Sequence, residues 1–316
     1  MKFLSALLLL LMLVAGVWSV YQINRPNDIR EETSVVLEKG ENVRLIAERL
    51  EKAGIIPSSF IFRLLVRLQG IDKRLKAGEY VFAPRMNMFY VSQKLLQGDI
   101  FYRKITLPEG LSSHKIKELI LSEPALSGNI TIPMPEGSIL PDTYVFSKGE
   151  SRDNIVRQAQ KAMSDFLAKA WDDNQSPILK NEKELLILAS IVEKETGLND
   201  ERFDVSAVFN NRLRLGMMLQ TDPSVIYAIT GGKADLGRAL LKKDLEFDSP
   251  FNTYRNYGLP PEPICNPGKE AIKAAAHPSD KGYLFFVANG EGGHRFANNL
   301  NEHNENVARY RKLKKN

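Results

Sequence analysis

The stretch that decides the fold is residues 185–196, LLILASIVEKET. Its first eight residues are all apolar or small, so a helix built from them has no polar face and should be buried on most sides. Asn181 can cap its N-terminus with Glu184 as capping-box partner, and Gly197 can end the helix. The sequence therefore predicts a buried central helix of about four turns.

Glu193 stands at the end of the apolar run. Its helical neighbours one turn away are all small and should leave a notch beside its carboxyl; they are Ala189, Ser190, Thr196 and Gly197. Desolvation in such a notch raises a carboxyl pKa, as does the negative end of the helix dipole. Glu193 is therefore a candidate general acid, although a solvent-exposed Glu193 fits the periodicity equally well. Glu195 lies about 200° around the helix and should point elsewhere.

The chain opens with Lys2, an apolar run over residues 3–20, and no further charge until Arg25. The run is long enough, or nearly so, to cross a bilayer as a helix. A cleaved signal peptide is the alternative, but the run exceeds an ordinary signal core and no A-x-A-like site follows it. We expect an uncleaved single-pass anchor in the inner (cytoplasmic) membrane. The short N-terminal side favours export of the rest to the periplasmic or extracytoplasmic side.

The composition is that of a globular protein with an excess of basic residues. Hydrophobic content is 43% and net charge is +5, with much of the excess in the tail over residues 309–315. A basic surface suits an anionic partner such as a phospholipid face or an acidic polymer, although such tails are usually only solvated. The single cysteine, Cys265, excludes an intramolecular disulfide.

The length suggests about two domains after the anchor. We expect an α+β protein with an anchor over 1–24, a small subdomain over 25–100 and a larger α+β domain over 101–316. The small subdomain has a strand–helix–helix–strand pattern that resembles the LysM-like module of cell-wall proteins. In the larger domain we expect helices at 152–171, 205–215 and 272–276, a helix capped by Asp222 or Ser224, and a buried strand at 283–287.

The absence of several sequence motifs argues against the corresponding chemistries. The sequence has no Gly-rich phosphate loop, no nucleophile elbow, and neither the paired cysteines nor the closely spaced histidines of a metal site. We therefore expect no cofactor, no metal and no nucleic-acid partner. What remains is an acid-type glutamate beside polar side chains that can bind sugar hydroxyl and acetamido groups. The candidates are Gln220, Asp222, Asn252, Tyr254, His294 and Asn299, each of which could instead stabilise a loop.

Several longer motifs agree in order and spacing with one family. ASIVEKET, FNNRLRLGMMLQTDPSVIY, FNTYRNYGLPPEPICNPG, AAAHP, YLFFV, GGHRF and EGSILPDTY occur in this chain. By these motifs the chain resembles the endolytic murein transglycosylase family (MltG or YceG-like) over nearly its whole length after the anchor. The resemblance implies that Glu193 matches the essential glutamate and that residues 35–100 form a LysM-like subdomain. It also implies cleavage of nascent peptidoglycan strands beside penicillin-binding synthases.

A lytic transglycosylase needs only one acid/base, because its nucleophile is a hydroxyl of the substrate. A muramidase uses water instead and needs a second carboxylate, for which Asp222 and Glu195 are the candidates. A third possibility is a non-catalytic wall-binding scaffold built on the LysM-like part. Product mass separates the two enzymes, since an anhydro end is lighter than a reducing end by one water.

Overall fold

The computed structural model describes residues 2–38 and 40–314. The chain forms two compact units, one of Met1–Arg103 with Val145–Glu150 and one of Lys104–Tyr144 with Ser151–Asn316. The protein is a mixed α/β protein, with eleven α-helices, one 3-10 helix and three two-stranded sheets among the described residues. Lys315, at the end of the basic tail, lies outside the described residues.

The first unit contains four helices and two strands. Its elements are α1 (Lys2–Asn24), β1 (Thr33–Leu37), α2 (Val43–Lys52), α3 (Ser59–Leu68), β2 (Gly78–Phe82) and α4 (Met88–Gln97). The strand β3 (Arg103–Thr106) pairs with β4 (Thr143–Phe146). The helices and strands of the second unit are α5 (Ser113–Ser122), α6 (Arg152–Asp172), α7 (Glu182–Glu195), α8 (Asn199–Arg214), α9 (Asp222–Thr230), the 3-10 helix (Lys242–Glu246), α10 (Lys269–Ala276), β5 (Phe285–Ala288), β6 (His294–Ala297) and α11 (Leu300–Leu313).

Among the described residues, α1 is the one helix long and apolar enough to cross a membrane. Its segment Phe3–Asn24 has a mean hydropathy of 2.5 and its apolar stretch is not buried in the protein. A signal sequence near the N-terminus would have the same length and composition. The length and composition of α1 therefore agree with the expected anchor.

The first unit is built on an antiparallel pair of strands. β1 pairs with β2 with Val35 opposite Tyr80, and helices α2, α3 and α4 cover the buried side chains. Asn42 and Asn87 accept hydrogen bonds at the starts of α2 and α4, which explains why both helices begin there. The predicted order strand–helix–helix–strand is confirmed, and the LysM-like assignment stays a prediction.

The second unit is organised around α7, as predicted. Leu185, Leu188, Ala189, Ile191 and Val192 are fully buried, and α6, α8, α9 and α10 all pack against this helix. Burying each large aliphatic side chain contributes about 1.5–3 kcal/mol, so the apolar run fixes the position of the helix. The orientation of the two glutamates at its end follows from that packing.

The two ends of α7 differ in how well the sequence predicts them. The Asn181 side chain accepts the Glu184 N–H at 2.9 Å, which confirms the predicted cap, and the Glu184 carboxylate reaches back to the Lys180 N–H. The predicted end at Gly197 is wrong. The helix ends one residue earlier, at extended Thr196, and Gly197 does not take a left-handed conformation. The backbone is extended at Thr196, and α8 starts only four residues after α7 ends.

Other boundaries differ from the sequence predictions as well. α8 begins at Asn199, six residues before the predicted start at 205. Its N-cap residue is Leu198, whose side chain makes no capping hydrogen bond, so the sequence carries no signal for this start. Neither Asp222 nor Ser224 caps α9, because Thr221 holds that position without a side-chain bond. The strand β5 is half-buried along its whole length, where a fully buried strand was predicted, because it belongs to a sheet of only two strands.

The single cysteine is part of the core beside α7. Cys265 is 1% exposed, and its thiol donates to the Ser190 carbonyl at 3.4 Å. The Ser190 hydroxyl accepts the N–H of Ile264 at 3.0 Å, so the loop carrying Cys265 is fixed to the middle of α7. This loop leads to Gly268, which contacts Glu193 at the end of the same helix.

Candidate active site

The Glu193 carboxylate forms a buried ion pair with Arg202. Its side chain is 6% exposed, its Oε2 accepts the N–H of Gly268 at 2.9 Å, and its Oε1 lies 3.5 Å from Nη2 of Arg202. Burial raises the pKa of Glu193, while the Gly268 N–H and the Arg202 charge oppose that rise. The raised pKa predicted for Glu193 is thus confirmed in direction, but both of its oxygens already have partners.

Arg202 connects Glu193 to a second carboxylate. It lies in the first turns of α8, is 6% exposed on its side chain, and sits 3.7 Å from Oε2 of Glu109. It also donates to the Asn199 side chain. Sequence reasoning missed Arg202 and Glu109, because the start of α8 lacks a capping signal and Glu109 lies in a turn far away in sequence. The cluster joins the turn at Glu109 and the N-terminus of α10 at Gly268 to the end of α7 and the start of α8.

Glu195 faces different surroundings on the other side of α7. It lines a cavity of about 220 Å³ together with Gln220, Asp222, Tyr254 and Arg212; Phe209, Leu219 and Phe286 complete the lining. Burial and, to a lesser extent, the Asp222 charge raise the pKa of Glu195 to about 8 against the opposing charge of Arg212. The cavity brings together three of the six predicted sugar-binding residues, and they surround Glu195.

The turn at Gln220 is hydrogen-bonded to the loop that carries Thr253 and Tyr254, and the two segments shape this cavity. Gln220 adopts a left-handed φ of 53°, and its N–H donates to the Thr253 carbonyl at 3.1 Å. The Thr253 hydroxyl accepts the Thr221 N–H at 2.9 Å and lies 2.8 Å from the Ser224 hydroxyl. These bonds place Tyr254 beside the first turn of α9, where its hydroxyl donates to Oδ1 of Asp222 at 2.7 Å.

Arg212 forms the cationic side of the same cavity. Its guanidinium donates to the carbonyls of Leu284 at 2.7 Å and Leu219 at 2.8 Å, so it is held by backbone and not by a carboxylate. Its charge favours the ionised form of Glu195 once the proton has left. In the sequence, the buried Arg212 was visible only as one of three consecutive polar residues, after Asn210 and Asn211, in FNNRLRL.

Asn252, a predicted sugar-binding residue, has its side chain hydrogen-bonded to the backbone. Its side chain is fully buried; the amide group donates to the carbonyls of Leu245 at 3.0 Å and Phe247 at 2.7 Å. Its carbonyl oxygen accepts the Tyr254 N–H at 2.9 Å. Because these groups are committed to the backbone, Asn252 holds the loop that presents Tyr254.

The other two predicted contacts lie outside the Glu195 cavity. The His294 ring contacts Glu201 at 2.7 Å through Nδ1 and lies edge-on to Phe286, with ring centres 5.2 Å apart. Asn299 caps α11 by accepting the Glu302 N–H at 3.0 Å. His294 therefore supports a ring that lines the cavity, and Asn299 has a structural role.

No cluster of three metal-ligating side chains occurs among residues 2–38 and 40–314. The chemistry available in the cavity is that of a neutral carboxyl beside a second carboxyl, a phenol and a guanidinium. A carboxyl whose pKa is about 8 is mostly protonated at neutral pH and can donate that proton to a bound oxygen.

Comparisons with known proteins identify relatives over most of the chain. A Bacillus subtilis protein named endolytic murein transglycosylase is 32% identical over 319 residues, which cover 90% of this chain and 86% of that protein. One of the same name from Streptococcus pneumoniae serotype 2 is 28% identical over 327 residues, 89% of this chain and 59% of its own length. A crystal structure described as a yceG-like protein from Listeria monocytogenes has 32% identity and a TM-score of 0.55, covering 88% of this chain and 99% of that chain.

The family match extends over both units. The model of the YceG-like family matches residues 35–309, which include α7, the Glu195 cavity and most of the first unit. The chain therefore belongs to the YceG-like family.

Proposed function

We propose that this protein is a peptidoglycan lytic transglycosylase that cuts within glycan strands, between N-acetylmuramic acid and N-acetylglucosamine, and leaves a 1,6-anhydromuramyl end. The observation that carries the proposal is the Glu195 cavity, where a carboxyl with a pKa of about 8 lies among Gln220, Asp222 and Tyr254. The names of the relatives support murein as the substrate.

Glu195 replaces Glu193 as the acid in this proposal. Both carboxyls have a raised pKa, but the two Glu193 oxygens already contact Arg202 and the Gly268 N–H, whereas Glu195 lines a cavity. A general acid must reach the oxygen that it protonates, within about 3 Å. Its place in the lining of a cavity favours Glu195, and in this proposal the ion pair gives Glu193 a structural role.

The reaction needs a single carboxyl used twice. Protonated Glu195 gives its proton to the bridging oxygen, and the bond between that oxygen and muramyl C1 breaks. The Glu195 carboxylate then takes the proton of the muramyl C6 hydroxyl as that oxygen forms a new bond to C1. The proton balance closes with Glu195 protonated again. Because the nucleophile belongs to the substrate, its positioning supplies part of the rate.

The other cavity side chains support this cycle. The Asp222 charge favours the protonated form of Glu195 before the cut, and the Arg212 charge favours its carboxylate afterwards. Tyr254 presents a phenol ring to the cavity, and aromatic side chains combine large apolar contact area with a polar group. Together these groups can hold one sugar beside Glu195.

A muramidase is the second candidate, and one observation favours it. Asp222 lines the same cavity as Glu195, so two carboxyls are available, as an enzyme that uses water requires. Digestion of purified glycan with mass analysis of the products separates the two. Anhydro ends support the transglycosylase and reducing ends the muramidase. Glycan binding without any turnover would support a scaffold.

The location is part of the proposal. α1 would serve as a single-pass anchor in the inner membrane, with the Glu195 cavity on the extracytoplasmic side, where nascent strands emerge. There the protein would terminate or trim strands made by penicillin-binding synthases. The length and hydropathy of α1 support the anchor.

A further inference from the structure

A second cavity, of about 440 Å³, lies in the same unit. Its charged lining consists of Lys115, Lys194, Asp235 and Arg238, and Ile226 and Tyr227 from α9 give it an apolar side. We call it the Lys194 cavity. Three cations against one carboxylate make it an electropositive pocket with an apolar wall, which suits a ligand that combines an anion with small apolar groups.

The three cations differ in how they are paired. Lys115 lies 2.7 Å from Asp235, and Arg238 makes two bonds to Asp244, of 2.6 and 3.0 Å. Lys194 instead donates to the carbonyl of Gly110 at 3.2 Å, and its ammonium has no carboxylate within ion-pair distance in the described part of the chain. Lys194 is therefore the cation best placed to bind an anion from outside.

The linings of the two cavities are neighbours along the chain at two points. Lys194 lines one and Glu195 the other, and Pro223 lines one and Asp222 the other. The backbone at the end of α7 and at the start of α9 therefore runs between the two cavities. An extended peptide spans about 3.3 Å per residue, so a sugar beside Glu195 that carries a peptide of several residues could place that peptide in the Lys194 cavity.

We propose that the Lys194 cavity binds the peptide attached to the muramyl sugar next to the scissile bond. This inference rests on the proposed function. In peptidoglycan that sugar carries, through a lactyl ether, a short peptide with alanine methyl groups and free carboxylates. A carboxylate at Lys194 would form a charge-assisted hydrogen bond, and the methyl groups would pack against Ile226 and Tyr227. The site would make the enzyme prefer strands that still carry their peptides.

The test compares two substrates in one enzyme. The kcat/KM for peptide-bearing strands is divided by that for strands stripped of peptide with an amidase. Lys194→Met removes the charge but keeps the apolar stem, and we expect this ratio to fall about tenfold, because one charged hydrogen bond contributes about 1.5–3 kcal/mol. Lys183→Met is the matched control; Lys183 is on the same helix, 11 positions earlier, in an exposed pair with Glu262. It should leave the ratio unchanged.

Each other result has a defined meaning. An equal loss on both substrates in Lys194→Met overturns the peptide site, whereas absence of cleavage of either strand by the unmodified protein overturns the proposed function. In that second case, calorimetric binding of a synthetic muramyl peptide decides the inference separately. Binding that weakens in Lys194→Met and with added salt supports the peptide site, and binding that is equal in both proteins overturns it.

Discussion

The hydroxyl of Tyr254 donates a 2.7 Å hydrogen bond to Oδ1 of Asp222, and both side chains line the cavity of Glu195. This contact joins the loop after the 3-10 helix to the first turn of α9. It places a negatively charged group close enough to Glu195 to help raise its pKa. The protonation of the proposed acid therefore depends on two segments that are distant in sequence.

Replacing each glutamate of α7 by glutamine should separate their roles. Glu195→Gln removes the transferable proton, so we expect cleavage to fall at least about 100-fold with the fold intact. Glu193→Gln leaves buried Arg202 with a weaker partner, so we expect a loss of about 1–3 kcal/mol in the free energy of unfolding. Below its melting temperature this variant should keep most of its activity. Full turnover in Glu195→Gln, or none in folded Glu193→Gln, would return the assignment to Glu193.

The stability of the protein should depend on pH through Glu195. Its pKa is about 8 in the folded protein and near 4.5 when unfolded, so between these values the folded state binds more protons. The contribution of Glu195 to the free energy of unfolding is therefore fully present below about pH 4.5 and declines as pH rises toward 8. We expect the melting temperature of Glu195→Gln to exceed that of the unmodified protein increasingly from pH 5 to 8. A constant difference would contradict the raised pKa.

Removing the Asp222 charge should shift the activity profile. Because that charge raises the pKa of Glu195, the decline of kcat/KM at alkaline pH should begin at lower pH in Asp222→Asn. A transglycosylase should still cut at pH 6, whereas a muramidase that needs Asp222 should lose at least about 100-fold. Asp248→Asn, at an exposed carboxyl, is the control and should keep the original profile.

Asn252 should matter for folding more than for sugar binding. Asn252→Ala leaves the carbonyls of Leu245 and Phe247 and the Tyr254 N–H without partners, so we expect a loss of about 2–4 kcal/mol in urea unfolding. Exposed Asn301→Ala on α11 should change stability by less than about 0.5 kcal/mol. Unchanged stability in Asn252→Ala would revive a direct role in binding.

The anchor predicts where the protein is found. We expect it in the inner-membrane fraction, with protease added to spheroplasts digesting the chain after about residue 25. The apolar run of α1 supports the membrane fraction, and the short N-terminal side supports export of the rest of the chain. N-terminal sequencing supplies the check, since a soluble protein that begins after Val20 would show α1 to be a cleaved signal.

Sequence reasoning found the elements more readily than the site. The apolar run of α7 and the cap at Asn181 were readable because each depends on residues within a few positions of one another. The pairing of Glu193 with Arg202 could not be read from the sequence, because nothing local indicates that α8 begins at Asn199. Periodicity also gives only the angle between Glu193 and Glu195. Which of the two opens into a cavity depends on long-range bonds through Thr253.

Cys265 has a consequence for the proposed location outside the cytoplasm. Its thiol is buried, and burial raises its pKa well above the ordinary value, so the folded chain offers almost no thiolate. Since disulfide exchange and oxidation both proceed through the thiolate, folding itself protects this cysteine in an oxidising compartment. The vulnerable interval is the time between export and folding, when a mixed disulfide at position 265 would keep its loop from docking on α7.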